Sequence, residues 1–97
     1  MNDTTRKGFI DNLKSKLDDL DERIDALEQK GKAFQGEARK EYDKRLLDLK
    51  EKRRQVDRKM DELRAAGEEK WQALKDEAEH TWKALGNSFN YFKSHFK

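Results

Sequence analysis

Chemistry in this chain would have to begin at its histidines and carboxylates, and the supply is thin. His80 follows Asp76 and Glu77 at helical spacing, which could bring one imidazole and two carboxylates near a metal ion. The second histidine, His95, stands fifteen residues further on and completes no ligand set. The sequence has no paired-histidine zinc motif, no glycine-rich phosphate loop and no serine set beside a histidine and an acid. With no cysteine there is no thiolate nucleophile, no disulfide and no Cys-based zinc site. His80 is therefore expected to be a solvated residue at the edge of an apolar stripe. The chain is expected to be no enzyme, to use no metal or cofactor and to take no small-molecule substrate.

Cations are the other chemical resource. Lys50-Glu51-Lys52-Arg53-Arg54-Gln55-Val56-Asp57-Arg58-Lys59 is the densest basic stretch, and clustered cations can face phosphates. Here they wrap around a helix and are interrupted by Asp48, Glu51 and Asp57, so nucleic acid ranks last among the partners considered. Net charge is only +2, from 23 basic and 21 acidic residues. The asymmetry is local: residues 1–30 are net acidic and residues 31–64 net basic, as suits two helices folding against each other.

The elements that carry these residues are helical. Charged residues make up 45 % of the chain and hydrophobic ones 33 %, a composition shared by disordered chains and by long helices paired along narrow seams. Periodicity decides for helices. Ile10, Leu13, Leu17, Leu20, Ile24 and Leu27 step 3-4-3-4-3, a heptad seam over a helix of about residues 5–30. Gly31 suits the left-handed position past that helix, and Gly36 before Glu37 suits a new helix start, so a turn is expected at about 31–36.

The second seam runs through Tyr42, Leu46, Leu49, Arg53, Val56, Met60, Leu63 and Gly67, with Arg53 and Gly67 in core seats. An arginine in such a seat sets register more readily than it marks a site. Gly67 has no proline, asparagine or serine beside it. The expectation is thus one long second helix of about 37–95 with a weak point near 67.

The last third repeats differently. Trp71-Gln72-Ala73-Leu74 recurs eleven residues later as Trp82-Lys83-Ala84-Leu85, about 3.67 residues per turn and close to a straight helix. Its stripe is wide and aromatic: Trp71, Leu74, Ala78, Trp82, Leu85, Phe89, Phe92 and Phe96. Gly86-Asn87-Ser88 is expected to fray or kink the helix before this tail.

The fold class expected is all-α, a single coiled-coil domain over 1–97. Its form is a helical hairpin with a long second helix, with a three-helix bundle as the alternative. In the hairpin form the aromatic stripe has no mate in its own chain. Self-association through the stripe into a homo-oligomer is then the leading expectation. A membrane surface is the alternative, because amphipathic helices meet lipid through Trp and Phe with basic flanks. Those flanks are sparse, with only Lys93 and Lys97 beside the tail. Apolar runs never exceed two residues and the start lacks a signal-peptide core, so a cytoplasmic location is expected.

The chain also resembles a family of small bacterial coiled-coil stress-response proteins. The likeness spans nearly its whole length. It is carried by Leu13-Lys14-x-x-Leu17-Asp18-x-Leu20, by Glu41-Tyr42-x-x-x-Leu46-x-x-Leu49, by Met60-x-Glu62-Leu63-Arg64-x-Ala66, and above all by Trp71-x-x-Leu74-Lys75 followed by Trp82-x-x-Leu85-x-x-x-Phe89. Gly86-Asn87 stands where the resemblance leads one to expect charged helix formers. The resemblance implies a non-catalytic, cytoplasmic helical protein linked to stress, and it supplies no site residues.

Overall fold

The computed structural model describes residues 3–96, all in helices and two short connections, with no strand among them. Helix α1 spans Asp3–Gly31, α2 spans Gly36–Ala65 and α3 spans Glu68–His95. They lie side by side, up-down-up, in a rod of 52 × 19 × 19 Å.

The α1–α2 seam follows the heptad. Leu13, Leu17, Leu20 and Ile24 of α1 are buried with Tyr42, Leu46, Leu49, Val56, Met60 and Leu63 of α2, while Ile10 and Leu27 are half-buried at the ends. Arg53 fills its seat by reaching out of it. Its Nε and Nη2 donate to the two carboxylate oxygens of Asp21 at 2.8 and 2.9 Å, a bidentate tie that fixes the register of α2 on α1. The hydrogen bonds Arg53 donates to Asp21 raise its pKa above the ordinary value, against the opposing effect of burial.

Gly36 starts α2 as expected, but the left-handed conformation is not at Gly31. Gly36 takes it, with φ 63°. Gly31 ends α1 for a steric reason: a Cβ there would stand 2.6 Å from Cε1 of Tyr42 and 2.8 Å from its Cδ1. The ring of Tyr42 closes over this spot and its hydroxyl donates to the Leu27 carbonyl at 2.5 Å. Arg39 Nη1 donates to the Gly31 carbonyl at 2.9 Å, satisfying a helix-end acceptor that would otherwise lack a partner.

The long second helix is not there. Ala66 and Gly67 are both extended, at φ −73°, ψ 137° and φ −80°, ψ 172°, and α3 folds back along α2. No residue forces the break; burial drives it. Carrying on straight would leave the rings of α3 in water, whereas two extended residues turn Trp71, Ala78, Leu85, Phe89 and Phe92 into the core. The reversal is secured from three sides. Glu68 and Glu69 occupy the first turn of α3, where carboxylates favour the helix dipole. Trp71 N–H donates back to the Gly67 carbonyl at 3.1 Å. Arg6 of α1 donates to the Ala66 carbonyl with its guanidinium 4.7 Å from the Trp71 ring centre.

Two further expectations for α3 are revised. The helix passes through Gly86-Asn87-Ser88 without a break, and Ser88 Oγ accepts from Lys52 Nζ of α2 at 2.7 Å. The eleven-residue likeness of the two tryptophan segments does not set the packing. Trp71, Ala78, Leu85 and Phe92, the deepest row, step by seven, so α3 keeps the heptad frame of its neighbours.

Candidate interaction surface

Burial puts the eight stripe residues in two groups. Trp71, Ala78, Leu85, Phe89 and Phe92 are buried, and Leu74, Trp82 and Phe96 are half-buried against the core. The stripe therefore has the intrachain mate that the hairpin form denied it. Around Tyr42 the mating is tight: its ring lies 4.8 Å from Phe34 in a stack, and 4.9 and 5.0 Å from Phe92 and Phe96 edge-on. Lys97 lies outside the described residues.

What remains open is the seam between α1 and α3. Both run antiparallel to α2 and so parallel to each other, and side chains rather than closely packed backbones bridge them. Four positions of α1, namely Phe9, Lys16, Arg23 and Lys30, step by seven and face four of α3 that do the same: Lys75, Trp82, Phe89 and Phe96. Each pair sets a cation and a ring at matching positions, and in two of them the cation stands over the ring. Lys75 Nζ stands 5.3 Å from the Phe9 ring centre and Lys16 Nζ 5.9 Å from that of Trp82. Arg23 and Phe89, then Lys30 and Phe96, wall the same cavity further along. Such contacts contribute about 0.5–1 kcal/mol each where water reaches them.

Three cavities lie in line along this seam, of about 230, 240 and 460 Å³. The first is floored by Phe9, Leu13 and Trp82, the second by Leu20, Trp82 and Phe89, the third by Leu27, Tyr42, Phe92 and Phe96. Gly86 sits in the wall of the middle one with nothing within 4 Å of where a Cβ would be, so the glycine itself widens the groove. The rims carry Lys16, Arg23, Lys30, Lys83 and Lys93 against only Asp19 and Glu79.

Cations are paired along much of α2 and left unpaired here. Every ion pair among the described residues draws its cation from α2. Within the basic stretch, Lys50 meets Glu28, Lys52 meets Asp48, Arg53 meets Asp21 and Asp57, and Arg54 and Arg58 share Glu51. Lys59 bridges Glu62 at 3.3 Å and Glu77 at 3.0 Å, bonds that raise its pKa, Glu77 contributing most. The stretch 50–59 thus offers phosphates no cation without a carboxylate partner. No ion pair joins α1 to α3 among the described residues, and Lys16, Arg23, Lys30, Lys83 and Lys93 have none at all.

His80 and His95 are both exposed, and no group of three or more metal-binding side chains forms among the described residues. His95 stacks on Tyr91 at 5.7 Å. No described helix is long and apolar enough to cross a membrane.

Set against protein-family models, curated proteins and solved structures, the chain matches none.

The seam cations of α1 lie outside the apolar heptad that marks the helix. The signal was present: Lys16, Arg23 and Lys30 repeat by seven on one flank of the leucine seam, in the same frame as Trp82, Phe89 and Phe96. What the sequence did not show was that the two rows meet, because that depends on the reversal at Ala66-Gly67.

Proposed function

We propose that this protein is a non-enzymatic interaction module, a three-helix bundle that works by receiving a protein partner along the seam between α1 and α3. The observation that carries the reading is the contrast between seams. α2 is tied to both neighbours by close apolar packing and ion pairs, whereas α1 and α3 meet across three open cavities walled by the half-buried rings of Phe9, Trp82 and Phe96. Half-buried aromatic rings around a concavity are the usual anchor points of protein recognition. Self-association through a bare aromatic stripe loses its basis, since most of that stripe lies in the core. A lipid surface would find only Trp82 and Phe96 among the large rings of the stripe within reach. The resemblance to small bacterial stress-response coiled coils supports a stress-linked, cytoplasmic role for such a module.

The test is position-specific photo-crosslinking in cells that express the full chain. A benzophenone side chain replaces Asn12 or Asn90 on the seam, or Gln55 or Asp61 on the outer face of α2. Adducts formed from the seam positions and absent from the α2 positions support the reading. Adducts from all four positions alike, or from none, overturn it.

A further inference from the structure

We infer that the α1–α3 groove takes an acidic amphipathic helix of another protein, laid lengthwise as a fourth helix. The inference rests on the interaction reading above and specifies the occupant. Shape supplies the first argument. The cavities are collinear and follow two parallel helices over about 22 residues, roughly 32 Å at 1.5 Å per residue. A groove that narrow and that long matches one helix, and a flat lipid surface could not fill it.

Charge supplies the second, independent argument. Lys16, Arg23 and Lys30 rise along one rim and Lys83 and Lys93 along the other, with none of them in an ion pair among the described residues. Three of the seam's cations are parked over rings, Lys75 on Phe9, Lys16 on Trp82 and Lys93 on Phe89, at 5.3, 5.9 and 5.7 Å. A carboxylate offers a lysine more than a ring face does in a wet groove, so an acidic helix can draw these ammonium groups aside and settle its apolar row on the uncovered rings. A second copy of this chain docked groove to groove would oppose basic rim to basic rim, which costs affinity. The occupant is therefore acidic on both flanks and apolar along one row at heptad spacing.

Two synthetic helices of about 22 residues test this, alike in their Leu and Phe row and flanked by Glu in one and by Lys in the other. Binding to the full chain is followed by Trp82 fluorescence in Trp71→Phe protein and, separately, by calorimetry. The Glu helix is expected to bind at least about tenfold more tightly than the Lys helix at low salt, and the preference to shrink as salt rises. Arg23→Glu with Lys30→Glu should reverse the preference. Gly86→Leu fills the middle cavity with a better helix former and so retains the fold; it should abolish binding of both helices. Equal binding of the two helices, no binding of the Glu helix at about 1 mM, or binding indifferent to Gly86→Leu overturns the inference. So does a dimer in sedimentation, or capture by phosphatidylglycerol vesicles, that the Glu helix fails to displace. Seam-specific crosslinks in cells with no acidic preference in these assays would sink the inference alone; absence of seam crosslinks would sink the underlying reading as well.

Discussion

Replacing Gly31 by alanine tests whether Tyr42 is as fixed as the packing implies. The added Cβ would lie 2.6 Å from Cε1 and 2.8 Å from Cδ1 of that ring, about 1 Å inside ordinary carbon–carbon contact. The ring is held on several sides. Phe34 stacks on one face at 4.8 Å, Phe92 and Phe96 press edge-on at 4.9 and 5.0 Å, and the hydroxyl is held by the Leu27 carbonyl at 2.5 Å. Overpacking at such a site costs about 1–3 kcal/mol. Alanine returns up to about 1 kcal/mol through lower backbone entropy, less than in a helix interior because Gly31 ends α1. The net expectation is a loss of about 1–2 kcal/mol, a fall in Tm of about 4–16 °C for a chain of this size. Thermal melts followed by circular dichroism measure it. In a Tyr42→Leu background the obstructing ring edge is gone, so Gly31→Ala should there be neutral or stabilising. A Gly31→Ala protein that melts at or above the parent temperature would show the ring to be free to move. An equal penalty in both backgrounds would locate the cost away from Tyr42.

Burial holds the Tyr42 phenol above its ordinary pKa of 10.0, so the folded state keeps the proton to higher pH than the unfolded one. That contribution is complete below about pH 10 and is lost as pH climbs from there through the raised folded value. Tyr42→Phe should lose about 1 kcal/mol at neutral pH with its hydrogen bond, yet show a shallower alkaline decline in urea midpoint. An unchanged decline would show that Tyr42 is not its source. Removing the bidentate tie by Arg53→Ala and Asp21→Ala, singly and together, should give a coupling energy of about 0.5–1 kcal/mol, small because the Asp21 carboxylate is 42 % exposed. Additive losses would leave the tie no part in register. Acrylamide should quench Trp82 readily and Trp71 hardly, since Trp71 is 2 % exposed and Trp82 half-buried. Comparing Trp71→Phe with Trp82→Phe separates the two, and equal quenching would mean that α3 is not folded back.

The heptad made α1, α2 and the aromatic face of the last third legible from spacing alone, because a narrow seam needs the same residue types at the same step wherever it runs. Leu17, Leu49 and Val56 are at most 1 % exposed, in the seats their spacing assigns. The reversal at Ala66-Gly67 was not legible, because no local signal competes there with helix. The preference is collective, set by five α3 residues that are buried only once the chain has turned. Gly31 shows the same limit at smaller scale. Its position marked a turn, but the reason for glycine is a ring eleven residues away in sequence and in contact with it in space.

One seven-residue frame also accounts for the unpaired cations between α1 and α3. On α1, Asp21 and Glu28 lie one heptad apart on the flank toward α2, where they neutralise Arg53 and Lys50. Lys16, Arg23 and Lys30 lie one heptad apart on the other flank, toward α3. α3 answers α2 with Glu77 on Lys59, but it presents rings and lysines to α1. With eleven basic residues in its sequence, α2 thus draws the interhelical acids of both neighbours to itself. What is left between α1 and α3 is positive and aromatic, held by cation–ring contacts in place of ion pairs. If stability alone had shaped the seam, a carboxylate row on α3 opposite Lys16, Arg23 and Lys30 would have closed it with the pairing that Lys50, Arg53 and Lys59 of α2 already use. Trp82, Phe89 and Phe96 stand there instead, and they suit an apolar surface with acidic edges better than they suit the cations they face.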